Sequence, residues 1–579
     1  MKYLLFLFLL FSTSAFAQVN PQPKTPVQRD PFLQKKPDAK QPTEMIKHVH
    51  SDRFGVSKDR YDGNPNFTGS VVFEHKGSTL YADDVVLYSE ENFIKAYGNV
   101  KLVNADGSVI TAQEMEYDGN TERGVARKNV VLTDPKQTIK TETLYYERQT
   151  NKAYFNTGGT ITDAQNTMYT KSAVYNVSTK LIDFTGDVRI DNPKYLVEGV
   201  NILHNQNTNV STFTGPTTIY DKANRLNKIY TEEGTFNQNT DEVFLKKNSI
   251  VYYNNKKLTG NTIYFNRNSG YGNAKGDVTL DDPQENRYIK GGYGEVWQKT
   301  DSAVVTEKPY AVKIFTKDSM YFAAEKFITY QKLDSANPQK KLSFLRAFKK
   351  ARMYKSNAQA RADSLSFNET DGIMHLDGKP ILWSGFKQVT GEKIEAYFNT
   401  QTENLDSLKV INNAIAISKV DSLNNLDEFD QVKGKLMHLI FENDQIKQAN
   451  VIGNAQAITY ADDVDAKTNK KSRIGINLAT CGKIVADFEE KKIQIVSCNI
   501  GSNGEMIPMS LVSKEKRFFP DFNWNTTDRL KTWRDIFVES PNYPATIYES
   551  KNELFDQAQD KIKKEKEKEE AKKPKRVRK

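Results

Sequence analysis

The sequence has 579 residues, of which 27% are charged and 38% are apolar, and its net charge is +9. With 28 Tyr and 31 Phe, residues that favour strands are too frequent for a disordered chain. Residues 551–579 hold 12 Lys and Arg against 7 Asp and Glu, so this tail accounts for over half of the net charge. The remainder is only slightly basic, which argues against a nucleic-acid-binding protein.

Residues 1–17 have the pattern of a secretory signal peptide. Lys2 precedes the apolar run 3–11, and small residues at 15–17 form a cleavage site. No later stretch has the roughly 20 apolar residues that a membrane-spanning helix needs. We therefore predict export to the periplasm of a double-membraned bacterium, in association with the outer membrane or free of it. Residues 18–64 lack apolar periodicity and predict a flexible leader.

A loose motif recurs after the leader: a small residue or Thr, with apolar residues three and five positions later. Its first eight members are 29 to 32 residues apart, and a constant step is the signature of a repeat architecture. The motif starts at Ala82, Ala112, Thr141, Thr170, Gly199, Thr231, Gly260, Gly291, Ala324, Ala362, Gly391 and Gly434. Residues 65–300 are thus regular repeats, and residues 301–500 are looser repeats with insertions.

A second strand lies between successive motifs, with Gly or Asn before a β-branched residue, as in 98–102, 129–132, 186–190 and 276–280. Glycine at the small-residue position of the recurring motif predicts a bend or bulge where the strand turns over the edge of a sandwich. One hairpin cannot bury its apolar face alone, so the hairpins must stack. The predicted fold is all-β: an elongated, repetitive antiparallel β-jellyroll or sandwich stack of hairpins about 29 residues long.

Two segments depart from this pattern. The insertion at 297–360 contains apolar residues at helical spacing, which predict an amphipathic helix over Lys341–Tyr354. Residues 501–550 are aromatic and contain proline, which predicts a C-terminal cap on the last edge of the stack. Residues 551–579 form a charged basic tail. We interpret it as a solubilising tail or as a contact with anionic lipid headgroups.

The repeated units resemble a known family. Residues 82–88, Ala-Asp-Asp-Val-Val-Leu-Tyr, followed by Gly-Asn-Val-Lys-Leu at 98–102, are similar to the OstA-like domain of lipopolysaccharide transport proteins, which include LptA and the N-terminal domain of LptD. The resemblance implies a twisted β-jellyroll whose apolar interior carries the acyl chains of lipopolysaccharide. It also implies a role in outer-membrane assembly, with other jellyroll transport proteins joined by edge-strand addition.

A lipid groove needs a continuous apolar interior, and the inward positions of the strands are its candidates. They are Val85, Leu87, Val100, Leu102, Met115, Tyr117, Val130, Leu132, Leu144, Tyr146, Val188, Ile190, Ile202, Ile263, Phe265, Val278 and Leu280. The same stripe would fill the core of any sandwich. The alternative is therefore a structural or adhesive repeat protein of the cell envelope without lipid cargo.

Catalytic patterns are absent from the sequence. The six histidines are scattered, and no metal-binding, nucleophile-elbow or P-loop pattern occurs. A carbohydrate-active β-helix enzyme would show carboxylates on one face at the repeat period, and none recur. We predict no enzyme activity, no cofactor and no metal. Cys481 and Cys498 flank a turn at 487–492, which predicts a cross-strand disulfide in an oxidising compartment.

Overall fold

The computed structural model describes residues 28–34, 44–57, 61–316, 318–420, 427–464, 466–468, 471–490 and 492–537. The predicted signal peptide and basic tail lie outside these residues. Within them the chain forms 40 β-strands and short 3-10 helices, and the strand pairings are antiparallel. The all-β antiparallel fold predicted from the repeats is confirmed. The chain divides into two compact units, residues 1–164 with 172–178, and residues 165–171 with 179–579.

The strands of unit 1 include six long ones, β3 to β8, joined in sequence as hairpins. The strands are β1 (Lys47–His50), β2 (Arg53–Val56), β3 (Pro65–His75), β4 (Ser78–Tyr88), β5 (Phe93–Val103), β6 (Val109–Asp118), β7 (Arg123–Thr133), β8 (Gln137–Glu147), β9 (Lys152–Phe155), β10 (Gly159–Asp163) and β12 (Ser172–Asn176). Strands β1 and β2 both pair with β3, so the segment predicted as a leader contains two strands.

Unit 2 alternates pairs of short strands with long strands, and ends in long hairpins. Its strands are β11 (Thr167–Thr170), β13 (Leu181–Asp191), β14 (Tyr195–Asn205), β15 (Val210–Phe213), β16 (Thr217–Asp221), β17 (Lys228–Thr231), β18 (Glu233–Asn237), β19 (Glu242–Lys247), β20 (Ile250–Tyr253), β21 (Lys256–Thr259), β22 (Thr262–Asn266), β23 (Tyr271–Asp282), β24 (Arg287–Trp297), β25 (Ser302–Thr306), β26 (Tyr310–Ile314), β27 (Ser319–Ala323), β28 (Lys326–Leu333), β29 (Lys341–Lys355), β30 (Ala358–Asn368), β31 (Ile373–Asp377), β32 (Ile381–Ser384), β33 (Lys387–Thr390), β34 (Lys393–Phe398), β35 (Leu405–Lys419), β36 (Phe429–Glu442), β37 (Gln445–Val464), β38 (Lys471–Glu489), β39 (Lys492–Asn499) and β40 (Asn503–Pro508).

A bulge with two consecutive left-handed residues interrupts most long strands. At each bulge the register shifts, because two residues face one on the partner strand. The bulge residues have φ between 44° and 82°, a conformation that Gly and Asn adopt at least cost. They are Gly69–Ser70, Gly98–Asn99, Lys128–Asn129, Gly186–Asp187, Gly276–Asp277, Lys349–Lys350, Asn412–Asn413 and Gly453–Asn454. The sequence thus correctly predicted that the strands bend, but the bulges lie in the strand that pairs with the small residue of the motif and not at that residue.

In seven of the twelve motifs the first residue lies opposite the first inward residue after a bulge, and in the other five it lies where one short strand ends and the next begins. Gly199 faces Val188 and Gly434 faces Ala414. A Cβ added to Gly434 would lie 2.7 Å from Cγ1 of Val451, closer than two carbon atoms approach without displacement. The motif therefore records the steric crowding on the inner side of each bend.

Each bend divides a long strand between two rows of strands in unit 2. In the first wing, β24 pairs with β26, β29 with β27, β30 with β32 and β35 with β33. In the second wing, the other halves pair with β25, β28, β31 and β34. Inward side chains of both wings, such as Met353 and Leu376, belong to one hydrophobic core. The two wings therefore face each other as in a sandwich.

The helix predicted over Lys341–Tyr354 is wrong, because these residues belong to β29. Leu345 and Ala347 alternate inward before the bulge, and Ala351 and Met353 do so after it. The extra residue of the bulge spaces Ala347 and Ala351 four positions apart. This spacing imitates one turn of an amphipathic helix.

A disulfide joins Cys481 to Cys498, with their Cα atoms 5.8 Å apart. Cys481 faces Ala455 of β37, so it occupies the small-residue position of the last bend. Cys498 faces Ile484 rather than Cys481, because the hairpin turns between Glu489 and Lys492 and a bulge at 487–488 shifts the register by one further residue. The bond thus crosses diagonally from β38 to β39.

Residues 514–537, here called the strap, include most of the described part of the segment predicted as a cap. They lie across the outer face of the first wing. Trp533 stacks on Tyr321 with the ring centroids 5.4 Å apart, and Phe522 packs on Phe429 at 5.3 Å. The strap thereby covers apolar side chains that point away from the interior.

Buried glutamines on alternate strands bind the backbone of the strap. Gln388 donates to the carbonyl of Asn523 at 2.6 Å and accepts from the amide of Asn525 at 2.9 Å. Gln431 donates to the carbonyl of Arg517 at 2.8 Å and accepts from the amide of Phe519 at 3.0 Å. Each glutamine therefore holds an extended tripeptide as a neighbouring strand would.

Replacing Gln431 with leucine tests this attachment. The substitution leaves the Arg517 carbonyl and the Phe519 amide without their partner, which should cost about 1–3 kcal/mol in the free energy of local opening. Hydrogen exchange of residues 514–525 should accelerate accordingly. Gln401→Leu, at an exposed position, is the matched control. Unchanged exchange in the Gln431 variant would contradict the proposed attachment.

Candidate functional site

A cavity of about 550 Å³ lies between the two wings of unit 2. Much of its lining is apolar, and three flexible methionines contribute to it. The apolar lining includes Met320, Met353, Met374, Leu376, Leu382, Val389, Ala396, Leu408 and Leu439. Methionine adapts its shape to irregular apolar ligands, so this wall suits a flexible hydrocarbon better than a rigid polar molecule.

The residues at the bends become smaller along the chain. The first inward residue after the bulge is valine in the earlier repeats, as at Val100 and Val188. It is alanine at Ala351, Ala414 and Ala455. None of these three alanines lines the cavity, so its walls are formed by other residues of the strands.

The cavity opens to solvent between the free ends of the two wings. On the first wing, Phe386 and Lys387 lie at the opening, and Phe386 is 56% exposed. On the second wing, Asp444 and Gln445 lie at the opening, and both are exposed. We call this opening the mouth. A long apolar chain could enter through it sideways, without passing along the whole interior.

Polar contacts bridge the ends of the strands at other places in unit 2. Lys256, after β20, forms an ion pair with Asp301, which precedes β25. The amide of Thr316 donates to Glu403 at 3.1 Å. Arg287, at the start of β24, pairs with Glu369, which follows β30. These contacts join first-wing ends to second-wing ends, so they close the gap that stays open at the mouth.

The pair of Arg287 and Glu369 is buried, with side chains 4% and 0% exposed. Asp282 lies 3.3 Å from Arg287, and Lys313 lies 3.9 Å from Glu369. Burial raises the pKa of the Glu369 carboxyl, and attraction to Arg287 and Lys313 opposes this rise. The carboxylate is thus costly to bury unless its cationic partners are present.

The predicted groove residues lie elsewhere. All except Leu87 are buried in the strands, and none of them lines the 550 Å³ cavity. In unit 1, Leu102, Tyr117 and Tyr146 surround a space of only about 20 Å³, less than an acyl chain requires. They remain candidates, but the larger space is formed by residues that sequence reasoning did not select.

The tyrosine at position 117 has a polar role as well. Its hydroxyl lies 2.8 Å from Nδ1 of His75, whose Nε2 lies 3.0 Å from the carbonyl oxygen of Glu44. The carbonyl can only accept, so Nε2 carries the proton and Nδ1 accepts from the tyrosine. Burial lowers the pKa of His75. These contacts close the interior of unit 1 with neutral groups near Ile46, which lines the same small space.

Two expected features can be examined only in the described part of the chain. Within it, no group of three or more His, Cys, Asp or Glu residues could hold a metal ion. Of its helices, none has the length and hydropathy required to cross a membrane.

Comparisons with known proteins find similarity in two parts of the chain. Residues 43–199 match the family described as OstA-like protein. Residues 294–402 match the family described as LptA/(LptD N-terminal domain) LPS transport protein. These matches confirm the resemblance predicted from the repeats, and the second includes much of the cavity wall.

Solved structures and curated proteins were compared as well. The chain is similar to the crystal structure of LptH, the LptA homologous periplasmic component of the conserved lipopolysaccharide transport device from Pseudomonas aeruginosa. The identity is 14% and the TM-score 0.19, over 26% of this chain and 93% of LptH. No curated protein matches the chain.

Replacing Arg287 with methionine tests the bridge between the wings. The variant leaves Glu369 buried without its closest cation, which should lower the free energy of unfolding by about 3–5 kcal/mol. The double variant Arg287→Met, Glu369→Leu should regain most of this loss, because no buried charge is then unpaired. Urea unfolding of the three proteins measures both effects. A single variant as stable as the parent protein would show that the pair does not hold the wings together.

Proposed function

We propose that this protein is a periplasmic lipopolysaccharide-transport protein that contributes to outer-membrane assembly and has no enzymatic activity. It binds the acyl chains of lipopolysaccharide in the cavity between the wings of unit 2. The observation that carries the proposal is this cavity of about 550 Å³ with many apolar side chains in its lining, within and beside the residues that match the transport family. Each methylene group buried there contributes about 0.8 kcal/mol.

The periplasmic location is supported by two features of the chain. Residues 1–17 have the pattern of a signal peptide. The disulfide of Cys481 and Cys498 is a bond that persists in oxidising compartments such as the periplasm. The basic tail offers an electrostatic contact with anionic membrane surfaces.

Other jellyroll proteins are the proposed partners of the last strands. In the described part of the chain, β39 and β40 each pair only with β38. Their free edges offer unpaired backbone groups to a further strand. Ile493 and Ile495 of β39 are 53% and 60% exposed, so an added strand would also cover apolar surface.

A structural envelope protein without cargo is the second candidate. The tightly packed interior at the predicted groove residues favours it for the first repeats, because side chains occupy the space that a lipid would need. One chain can combine both roles, with the first repeats as a structural part and the cavity of unit 2 as a lipid-binding part. The experiment below separates them.

Photo-crosslinking to purified lipopolysaccharide tests the proposal. A photoreactive phenylalanine analogue at Leu408 points into the cavity, and the same analogue at Lys409 points to the opposite face. We expect adducts at Leu408 and none at Lys409. The analogue at Ile202 reports on the closely packed repeats, where adducts would extend the groove to the residues predicted from sequence. Folded protein without adducts at Leu408 would leave the structural role.

A further inference from the structure

Three lysines lie on the rim of the cavity, all at the free end of the first wing. Lys355 ends β29, Lys387 begins β33 and Lys419 ends β35. Strands β33 and β35 are neighbours, and the amide of Lys419 donates to the carbonyl of Phe386 at 3.0 Å. Lys387 and Lys419 are therefore adjacent, and Lys355 lies three strands from Lys387 through β30 and β32.

The spacing of these strands sets the size of the cationic rim. At about 4.8 Å per strand, the step from Lys355 to Lys387 is roughly 14 Å. Flexible lysine side chains shorten the distance that a ligand must cover. A rim of this length fits a headgroup with more than one acidic group better than a single small anion.

Acidic residues also lie around the rim. Asp318 accepts from the amide and the hydroxyl of Ser356 and lies close enough to Lys355 to interact with it electrostatically. Asp444, across the mouth, accepts from the amide of Leu405 at 2.8 Å. Neither Lys355 nor Lys419 forms an ion pair within 4.0 Å with another residue that the structure describes.

Lys355 instead lies over the ring of Phe315, with Nζ 5.2 Å from the ring centroid. This contact holds the ammonium group at the edge of the apolar wall. Phe386, the residue before Lys387, is exposed and lines the cavity as Lys387 does. The rim thus joins apolar surface directly to positive charge, as the junction between acyl chains and an acidic headgroup requires.

We propose that Lys355, Lys387 and Lys419 form a binding site for the phosphate or carboxylate groups of an amphiphile whose hydrocarbon chains occupy the cavity. This inference rests on the proposed function and adds the selection of an anionic headgroup over a zwitterionic one. The chains provide affinity by burial, and the lysines provide selectivity by charge. The ligand lies with its chains inside the mouth and its headgroup on the first-wing rim.

The test compares two amphiphiles that share one acyl chain, lysophosphatidic acid and lysophosphatidylcholine, binding to the mature protein below their micellar concentrations. The rim variant is K355Q, K387Q, K419Q. The control variant is K326Q, K341Q, K435Q, which changes three exposed lysines that do not line the cavity. Circular dichroism and urea unfolding check that both variants remain folded. Inorganic phosphate is tested as a competitor of lysophosphatidic acid.

We expect the rim variant to bind lysophosphatidic acid more weakly, by roughly fivefold at low salt for each lysine that its single phosphate contacts. Its affinity for lysophosphatidylcholine should not change, and the control variant should match the parent protein with both ligands. An undiminished affinity for lysophosphatidic acid would overturn the headgroup site and leave the cavity intact. Competition by inorganic phosphate at ligand-equivalent concentrations would instead assign the lysines to free phosphate.

Failure of the proposed function gives a different result. The variant L408W fills the cavity and leaves the rim lysines unchanged. It should lower the affinity for both amphiphiles equally. If the parent protein binds neither amphiphile nor lipopolysaccharide, the cavity is not a lipid site and the headgroup inference falls with it. If L408W lowers the affinity for both amphiphiles and the rim variant lowers the affinity for neither, only the headgroup inference is wrong.

Discussion

The bulge with two left-handed residues is the constraint on which the rest of the structure depends. It turns a long strand from one wing to the other while keeping the backbone hydrogen bonds on both sides of the bend. It also forces the residue opposite the bend to be small, as Gly434 illustrates. An interior bounded by two facing wings follows from repeating this bend in successive strands.

The same geometry leaves the wings to be joined at their free ends. The buried ion pair of Arg287 and Glu369 joins the two wings at one place. At the mouth, where Phe386 and Asp444 lie on opposite wings, the cavity is open to solvent. The strap supports the outer side of the accessible part, since Gln388 holds it next to the cavity residue Val389. A few side chains at the ends of the strands therefore decide where the space between the wings is closed and where it is open to solvent.

Much of the scaffold could be predicted from local signals. Two-residue alternation marked the strands, and recurring glycines indicated that they bend. At Lys341–Tyr354 a bulge with two lysines interrupts the alternation, and the resulting spacing of apolar residues suggested a helix. The cavity was missed because its lining residues, such as Met353 and Leu408, come from strands that are distant in the sequence.

The sequence by itself determined the all-β class, the repeat length, the bends and the resemblance to OstA-like proteins, because these depend on backbone preferences and short-range periodicity. Tertiary structure alone decided where the interior is filled and where it is open. That outcome depends on the summed volumes of side chains from both wings and on contacts such as Arg287 with Glu369, 82 residues apart in the chain. Neither is encoded in a single repeat, since each repeat supplies only one part of the wall.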